Sequence, residues 1–451
     1  MIGPFPWDPF PPGTPDPKGP DPIHVVAFRA AVTAGDSYRS VRLAVRREGG
    51  TLRIGNRFVP EGRYREVSFV AFGHAANSMA LATLHAIGDR LTQGFVAGPE
   101  PVLSDLPFRG VTLAPGFGGA PGADDAVRAA VEVGEGLREQ DLLIVLLSPG
   151  ALRGLVLPPA GMAPDEFGAW LETAGTRGAT GREVGLLARV VGSGAVGGRL
   201  AGAVGRGDVT TLIVERGDGP TVLGGGPMRP VAPGERVEAR ALIARLGLAQ
   251  DLPPSVREAL APGSSPAVPE GTGGRERPVI VASPSDGLRA AADSVYDKGW
   301  TSRLAFRTLD GRPEAAADRF LARADELIDS ERPTSEGRTK GIGAFAMTTL
   351  EVPEGADEGP AFVAFLDRAR RGLRRREMSV GIFRTAGALR GPELPAGAVV
   401  GAPTYVASGG SGSPGPTRAV PMRPGITDIG MLVVALHPRT AGADRADPSR
   451  S

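Results

Sequence analysis

A run of glycines at Gly192–Gly197 has the spacing Gly-x-Gly-x-x-Gly, which is a pattern with a known chemistry. In dinucleotide-binding proteins such a run approaches a pyrophosphate closely, and a later carboxylate contacts a ribose. Here apolar residues precede the run, and a later predicted strand ends at Glu215. The chain contains 66 glycines, however, and the short helix predicted after the run contains Gly202 and Gly205, which weaken a helix interior. The glycine run is therefore weak support for an NAD(P)-binding oxidoreductase, which is the least favoured hypothesis for this sequence.

Other familiar reactive arrangements are missing from the sequence. The chain has no cysteine, which excludes thiolate nucleophiles, disulfides and thiolate metal sites. Its only lysines are Lys18, Lys298 and Lys340, and none lies in a phosphate-binding Gly-Lys-Ser/Thr loop. The four histidines show no metal-ligand spacing. Ser148 is not part of a Gly-x-Ser-x-Gly motif, so a hydrolase triad is not expected.

His74 lies at a junction that suits anion binding. The apolar run Val67–Phe72 is typical of a buried strand, and Ala75–Leu91 has the pattern of a helix. His74 therefore lies where a strand leads into a helix N-terminus, whose free N–H groups favour negative charge. A second buried strand, Leu142–Leu147, leads into Ser148.

The elements that position these residues alternate between strands and helices along most of the chain. This alternation predicts an α/β protein of two domains, with mostly parallel sheets flanked by helices. We expect a proline-rich arm at 1–22, a Rossmann-like N-terminal domain at 23–265, a C-terminal domain at 276–440 and a polar tail at 441–451. A stretch rich in Gly, Pro and Ser at 261–277 is the expected domain boundary.

Charge and hydropathy limit the expected partners. A net charge of +1 gives no excess field for nucleic acid or anionic lipid, so neither nucleic acid nor a membrane is expected as a partner. The longest apolar runs are strand-sized, and no basic segment followed by an apolar run begins the chain, so the expected location is cytoplasmic. The proline-rich arm is a candidate docking segment for a protein partner or for a second copy in a homo-oligomer.

Motifs along the chain resemble the glycerate 2-kinase family that carries a MOFRL domain. Val67–Ala80 (VSFVAFGHAANSMA) is similar to the family's strand, turn and helix, which read roughly VGKAAxxMA. Asp141–Gly150 (DLLIVLLSPG) stands where the family has a strand followed by SGGGSAL, and Gly197–Ala201 (GGRLA) stands where it has KGGRLA. Similar matches in the same order extend over residues 24–437.

The resemblance implies transfer of a phosphoryl group from ATP to the 2-hydroxyl of glycerate, with Mg²⁺, in a cleft between two domains. It assigns vestigial catalytic roles to His74, Arg189 and Asp218. The positions that it makes candidates for binding nucleotide or phosphate are Gly73, Ser148, Gly150, Arg153, Ser193, Gly197, Gly198 and Gly226. No metal ligand is assigned, and ATP and Mg²⁺ are expected only if the protein is active.

Several departures from the family pattern fall on charged or donor positions. The family lysine after the first strand is His74, whose side chain is shorter and mostly neutral at pH 7. Pro149 replaces a glycine and removes a backbone donor. Two further family lysines correspond to Val190 and Val196, and the second aspartate of the GDDP motif corresponds to Gly219. Losing one preorganised electrostatic group costs about 3 to 4 kcal/mol in phosphoryl-transfer chemistry of this kind.

The favoured hypothesis is a divergent glycerate 2-kinase-like protein that is catalytically impaired, a pseudoenzyme with a binding, structural or regulatory role. The alternative is an active ATP-dependent kinase that phosphorylates glycerate or a related small hydroxy acid. In that case Arg153, Arg189 or His74 would contact phosphate, and Asp218 would bind Mg²⁺.

Overall fold

The structure is a computed structural model, and it describes most of the chain. It describes residues 23–103, 106–113, 121–205, 207–216, 225–250, 252–261, 276–330, 340–350, 358–373, 378–384, 397–401 and 431–438. The proline-rich arm at 1–22 and the tail at 441–451 lie outside the described residues. The predictions made for them stay predictions.

The first part of the chain contains ten strands, ten α-helices and three short 3₁₀ helices within the described residues. The elements are α1 (Ile23–Gly35), α2 (Ser37–Ala44), β1 (Val45–Glu48), β2 (Thr51–Ile54), β3 (Arg57–Pro60), β4 (Glu66–Phe72), α3 (Ala76–Ile87), β5 (Leu91–Gly98), β6 (Arg109–Thr112), α4 (Ala123–Glu135), β7 (Asp141–Leu147), β8 (Val156–Leu157), α5 (Pro164–Thr176), α6 (Gly181–Val191), β9 (Ser193–Gly194), α7 (Arg199–Val204), β10 (Asp208–Val214), α8 (Gly225–Met228), α9 (Pro233–Arg245) and α10 (Pro254–Ala259).

The second part continues the alternation of strands and helices. Its elements are β11 (Glu276–Ala282), α11 (Pro284–Tyr296), β12 (Thr301–Gly311), α12 (Pro313–Ser330), β13 (Gly341–Leu350), α13 (Glu358–Gly372), β14 (Ser379–Arg384), β15 (Gly397–Gly401) and β16 (Met431–Pro438).

Besides the small antiparallel sheet β1-β2-β3 and the β8-β9 pair, the described residues form two large sheets, named in chain order the first and the second sheet. The first sheet is parallel throughout, as the alternation of strands and helices predicts. Its six strands lie in the order β11-β10-β7-β4-β5-β6. Alternate residues of β4 point to opposite faces: Val70 and Phe72 belong to a core with α4 to α7, whereas Phe69 and Ala71 belong to a core with α1, α3 and α11. Helices therefore cover both faces, and the α/β fold class is confirmed.

The second sheet is mixed rather than mostly parallel. Its order is β12-β13-β16-β14-β15, in which β12 and β13 are parallel and the other three pairs are antiparallel. Helices α12 and α13 pack on one face, and α1 and α11 pack on the other. The direction of β14, β15 and β16 depends on how the chain returns between them, which the pattern of apolar residues does not determine.

The two sheets share one of their cores. Phe28 of α1 stacks on Phe383 of β14, with 5.1 Å between ring centroids, and the same core contains Phe69 of β4. Strand β11 follows the predicted boundary in sequence, yet it pairs with β10 and completes the first sheet. The division into domains at 265 and 276 remains a prediction.

No helix among the described residues combines the length and the apolar character needed to cross a bilayer.

Candidate functional site

The candidate site begins where β4 and β7 end side by side. These strands are parallel neighbours, with Phe72 paired to Leu147, so the residues that follow them meet at one edge of the sheet. The carboxyl edge of a parallel sheet is where α/β proteins bind ligands. The structure thus brings together four of the predicted site residues, namely Gly73, His74, Ser148 and Gly150.

Ser148 is a structural link in this edge. Its side chain is fully buried. The hydroxyl oxygen accepts a hydrogen bond from the backbone N–H of Ala75 at 2.9 Å, and the hydroxyl donates to the carbonyl of Phe72 at 3.2 Å. Because both hydrogen bonds are made within the protein, the Ser148 side chain links the turn after β7 to the turn after β4 and is not available to a ligand.

Two glycines allow the turns to approach each other this closely. Gly73 has φ +107°, and a Cβ placed there would lie 2.4 Å from both the carbonyl oxygen and the hydroxyl oxygen of Ser148. Gly150 has φ +84°, and a Cβ there would lie 2.9 Å from Nε2 of His74. The imidazole of His74 therefore lies directly over Gly150, in the space above the turn that follows β7.

The backbone N–H groups of this edge are largely used inside the protein. The N–H of Gly73 donates to Ala97, that of His74 to Pro149 and that of Ala76 to Gly73. On the opposite turn, the N–H of Ser148 donates to Phe72, that of Ala151 to Ser148 and that of Arg153 to Gly150. Pro149 has no N–H to offer. A phosphate cradle instead points several backbone N–H groups toward its ligand.

A carboxylate that the sequence analysis did not single out lies beside this edge. Glu100 follows β5, the neighbour of β4, and is partly buried. Burial raises the pKa of the Glu100 carboxyl, and the charge of His74 acts in the opposite direction. A signal was available in the sequence, because Pro99-Glu100-Pro101 places an acidic residue directly after the apolar residues Phe95, Val96 and Ala97.

The glycine run 192–197 does not have the context of a dinucleotide fingerprint. Helix α6, rather than a strand, precedes Gly192. Ser193 and Gly194 form β9, which pairs with β8, and the Ser193 hydroxyl donates to the carbonyl of Pro158 at 2.5 Å. Because the motif requires a strand before the glycines, the dinucleotide interpretation is wrong for this segment.

Arg189 is occupied by an ion pair at a separate place. Its side chain is 4% exposed and donates to the carboxylate of Glu235 in α9. It also donates to the carbonyls of Arg229 and Pro230 at 3.5 and 3.3 Å. A cavity of about 240 Å³ lies here between α6 and α9, and the sequence analysis did not anticipate the Glu235 partner.

The remaining predicted residues fall into three groups. Arg153 is half-buried in the short turn that follows Gly150. Gly197 and Gly198 have φ +64° and +85° and precede α7, against which the short helix containing Gly226 packs. Asp218 lies outside the described residues.

No group of three His, Asp or Glu side chains within the described ranges is arranged to hold a metal ion.

Comparisons with known proteins agree with this architecture. A protein-family profile described as "Domain of unknown function (DUF4147)" matches residues 24–261, which is more than half of the chain. The bovine (Bos taurus) protein named glycerate kinase is 30% identical over 268 residues, which cover 55% of this chain and 50% of that protein. The human (Homo sapiens) glycerate kinase is 32% identical over 234 residues, covering 48% and 44%.

A solved structure has the same fold over nearly the whole chain. The crystal structure of glycerate kinase from Thermotoga maritima superposes with a TM-score of 0.67 at 19% identity, and the match covers 92% of this chain and 98% of that one. The chain is thus an α/β protein with the fold of that glycerate kinase structure. The chain belongs to the DUF4147 family, and the resemblance to glycerate kinases inferred from its motifs is confirmed. It spans about half the length of the curated relatives that it matches.

Proposed function

We propose that this protein is a glycerate kinase-like pseudoenzyme, in which the family fold is kept for binding or regulation and phosphoryl transfer is impaired. The observation that carries the proposal is the use of the backbone N–H groups around Gly73 and Ser148 by acceptors inside the protein. Backbone donors stabilise a transferred phosphoryl group only when they point at it.

The side chains at this edge support the same proposal. His74 stands where the family has a lysine, and its imidazole covers Gly150 instead of leaving the turn open. Arg189, a retained cation of the family pattern, is neutralised by Glu235. A guanidinium that is already paired with a carboxylate gives little further stabilisation to developing negative charge.

The expected loss of activity is large. Removal of one positioned donor or cation lowers a turnover number by about a hundred- to a thousandfold. If a lysine and one backbone donor are lost independently, the combined decrease is about ten-thousandfold or more. Since kinases typically turn over at about 1 to 100 per second, we expect turnover below about 0.01 per second.

A coupled assay of ADP release tests the proposal directly. Wild-type protein is incubated with Mg²⁺-ATP and D-glycerate, and His74→Lys is measured beside it. We expect no turnover above the rate without glycerate for the wild type. For His74→Lys we expect Mg²⁺-ATP to raise the melting temperature more than it does for the wild type, because the added lysine strengthens nucleotide binding. Turnover of the wild type in the range of ordinary kinases would overturn the proposal and favour the active-kinase alternative.

A further inference from the structure

The cavity between α6 and α9 is separate from the carboxyl edge of the first sheet, because none of the residues that line it belongs to that edge. Part of its wall is uncharged and is formed by Gly185, Leu186, Pro230 and Ala232. Its volume of about 240 Å³ is below the range of about 300 to 1,000 Å³ that is typical of pockets for drug-sized ligands. The cavity therefore suits a smaller molecule.

The carboxylates that line this α6–α9 cavity are already engaged. Each forms an ion pair that joins the two helices: Glu183 with Arg245 at 2.6 Å, Glu235 with Arg189, and Glu238 with Arg182 at 3.6 Å. The second oxygen of Glu235 accepts from the N–H of Ala232 at 2.7 Å, and that of Glu183 accepts from the N–H of Thr180 at 2.9 Å. Both oxygens of Glu183 and of Glu235 thus hold donors of the protein itself.

Arg229 differs from the other charged residues of the cavity. It is exposed, and its guanidinium makes no hydrogen bond or ion pair with any other residue that the structure describes. Its backbone is anchored, because the carbonyls of Arg229 and Pro230 accept from Nη2 of Arg189 at 3.5 and 3.3 Å. The side chain of Arg229 therefore extends from a held backbone at the wall of the cavity.

The charges around the cavity leave one positive charge in excess. Four arginines, namely the three that line the cavity and Arg245, stand against three carboxylates. Arg229 carries the excess, since the other three arginines are paired. A guanidinium binds a carboxylate through two parallel hydrogen bonds, so one excess arginine matches a ligand with a single carboxylate. The uncharged wall suits a short apolar chain on that ligand.

We propose that the α6–α9 cavity binds a small monocarboxylic acid, whose carboxylate pairs with Arg229 and whose apolar part contacts Leu186 and Pro230. The inference deepens the proposed function and rests on it, because it gives a class of ligand to a fold that is kept for binding. It assigns no role in phosphoryl transfer to the cavity.

Titration with butyrate tests the proposal, and butyramide serves as a neutral ligand of nearly the same shape. Binding is followed by the broadening of the ligand's ¹H NMR signals. We expect the wild type to bind butyrate about fivefold to tenfold more tightly than butyramide. Arg229→Gln should lose about the same factor for butyrate and should bind butyramide like the wild type. The factor is modest because water partly screens an exposed guanidinium.

A matched control removes the same charge elsewhere. Arg128 in α4 is exposed, pairs with Asp125 at 3.2 Å and does not line the cavity. We expect Arg128→Gln to bind butyrate like the wild type. Thermal unfolding confirms that each variant is folded.

Methyl NMR of leucine-labelled wild type locates the ligand. We expect butyrate to shift the methyl signals of Leu186, which are identified by their absence from Leu186→Met. Because these measurements use wild-type protein, the site is tested even if a variant at Arg229 fails to fold.

The inference would be overturned by equal binding of butyrate and butyramide to the wild type, by unchanged butyrate affinity in folded Arg229→Gln, or by an equal loss in Arg128→Gln. Absence of butyrate binding, or binding that leaves the Leu186 signals in place, would also overturn it. These outcomes are separate from the ADP-release assay. Turnover of glycerate by the wild type contradicts the pseudoenzyme and leaves the butyrate titrations as they are, whereas failure of the titrations contradicts only the α6–α9 site.

Discussion

At the scale of residues, the carboxyl edge of the first sheet is held by contacts that tolerate little change. Gly73 has φ +107°, which residues with a side chain rarely adopt. A Cβ added to it would also lie 2.4 Å from the backbone carbonyl oxygen and the hydroxyl oxygen of Ser148. The neighbour that would have to move is largely backbone, fixed by its own hydrogen bond to Phe72. The glycine is therefore required by both conformation and space.

Gly73→Ala should lower the free energy of unfolding by at least about 3 kcal/mol, because backbone strain and a backbone clash add together. The control is Gly178→Ala, at a glycine with φ +93° and nothing within 4 Å of a virtual Cβ. We expect that variant to lose about 1 to 2 kcal/mol from strain alone. Chemical denaturation measures both variants, and equal losses would contradict the claim of close packing at Gly73.

At the scale of elements, helix α1 has a buried ionisable group near its start and another just beyond its end. His24 is fully buried and shares a 2.9 Å hydrogen bond with the hydroxyl of Ser379 in β14. Burial lowers the pKa of His24 to about 3. Asp36 follows the helix and accepts from the N–H of Arg39 to cap α2, and burial raises its pKa to about 6.

The two groups should give opposite dependences of stability on pH. His24 has an unfolded pKa of 6.5 and a folded pKa of about 3, so its contribution decreases as pH falls from 6.5 toward 3. Asp36 has an unfolded pKa of 3.8 and a folded pKa of about 6, so its contribution is largest below pH 3.8 and decreases as pH rises through 6. In the wild type the contributions of His24 and Asp36 to the free energy of unfolding change with pH in opposite directions, so they largely cancel between pH 4 and 6.

Replacing one of these two residues should therefore leave only the pH dependence of stability that the other residue causes. Between pH 4 and 6, Asp36→Asn should become less stable as pH falls and His24→Gln more stable, each by up to about 1.4 kcal/mol per pH unit. Urea denaturation at several pH values measures the slopes. Parallel curves for wild type and both variants would show that neither group titrates differently on folding.

At the scale of the whole molecule, one apolar core joins the two sheets. Phe28 is fully buried and stacks on Phe383, and the core continues through Phe69 in the first sheet and Phe345 in the second. Because helix α1 packs on α11 and β16 as well, the N-terminal helix contributes to the stability of the C-terminal sheet.

Phe28→Ala should lower the stability of the whole protein by about 3 to 5 kcal/mol, through lost burial and the cavity that remains. We expect one cooperative transition at a lower Tm, because the core belongs to both sheets. Phe58→Ala is the control, since Phe58 is 67% exposed and should change stability by less than about 0.5 kcal/mol. Calorimetry that resolves two well-separated transitions in Phe28→Ala would contradict a shared core.

The sequence by itself determined the parts of this protein that depend on local pattern. The apolar run Val67–Phe72 predicted β4, and the run Leu142–Leu147 predicted β7. Gly35 and Asp36 separate α1 from α2 through local interactions alone, because the Asp36 side chain caps α2 by accepting from the N–H of Arg39. The order of motifs identified the glycerate kinase resemblance, because motifs and periodicity are read from neighbouring residues.

Only the tertiary structure decided which groups of the candidate site are hydrogen-bonded or paired with a charge inside the protein. Ser148 and Ala75 are 73 residues apart in sequence, and their hydrogen bond forms because β4 and β7 are neighbours in the sheet. The placement of Glu100 beside His74 and of Glu235 on Arg189 likewise depends on which elements pack together. Hydrogen-bond partners and charge neighbours are set by packing between distant segments, and local patterns in the sequence carry no record of them.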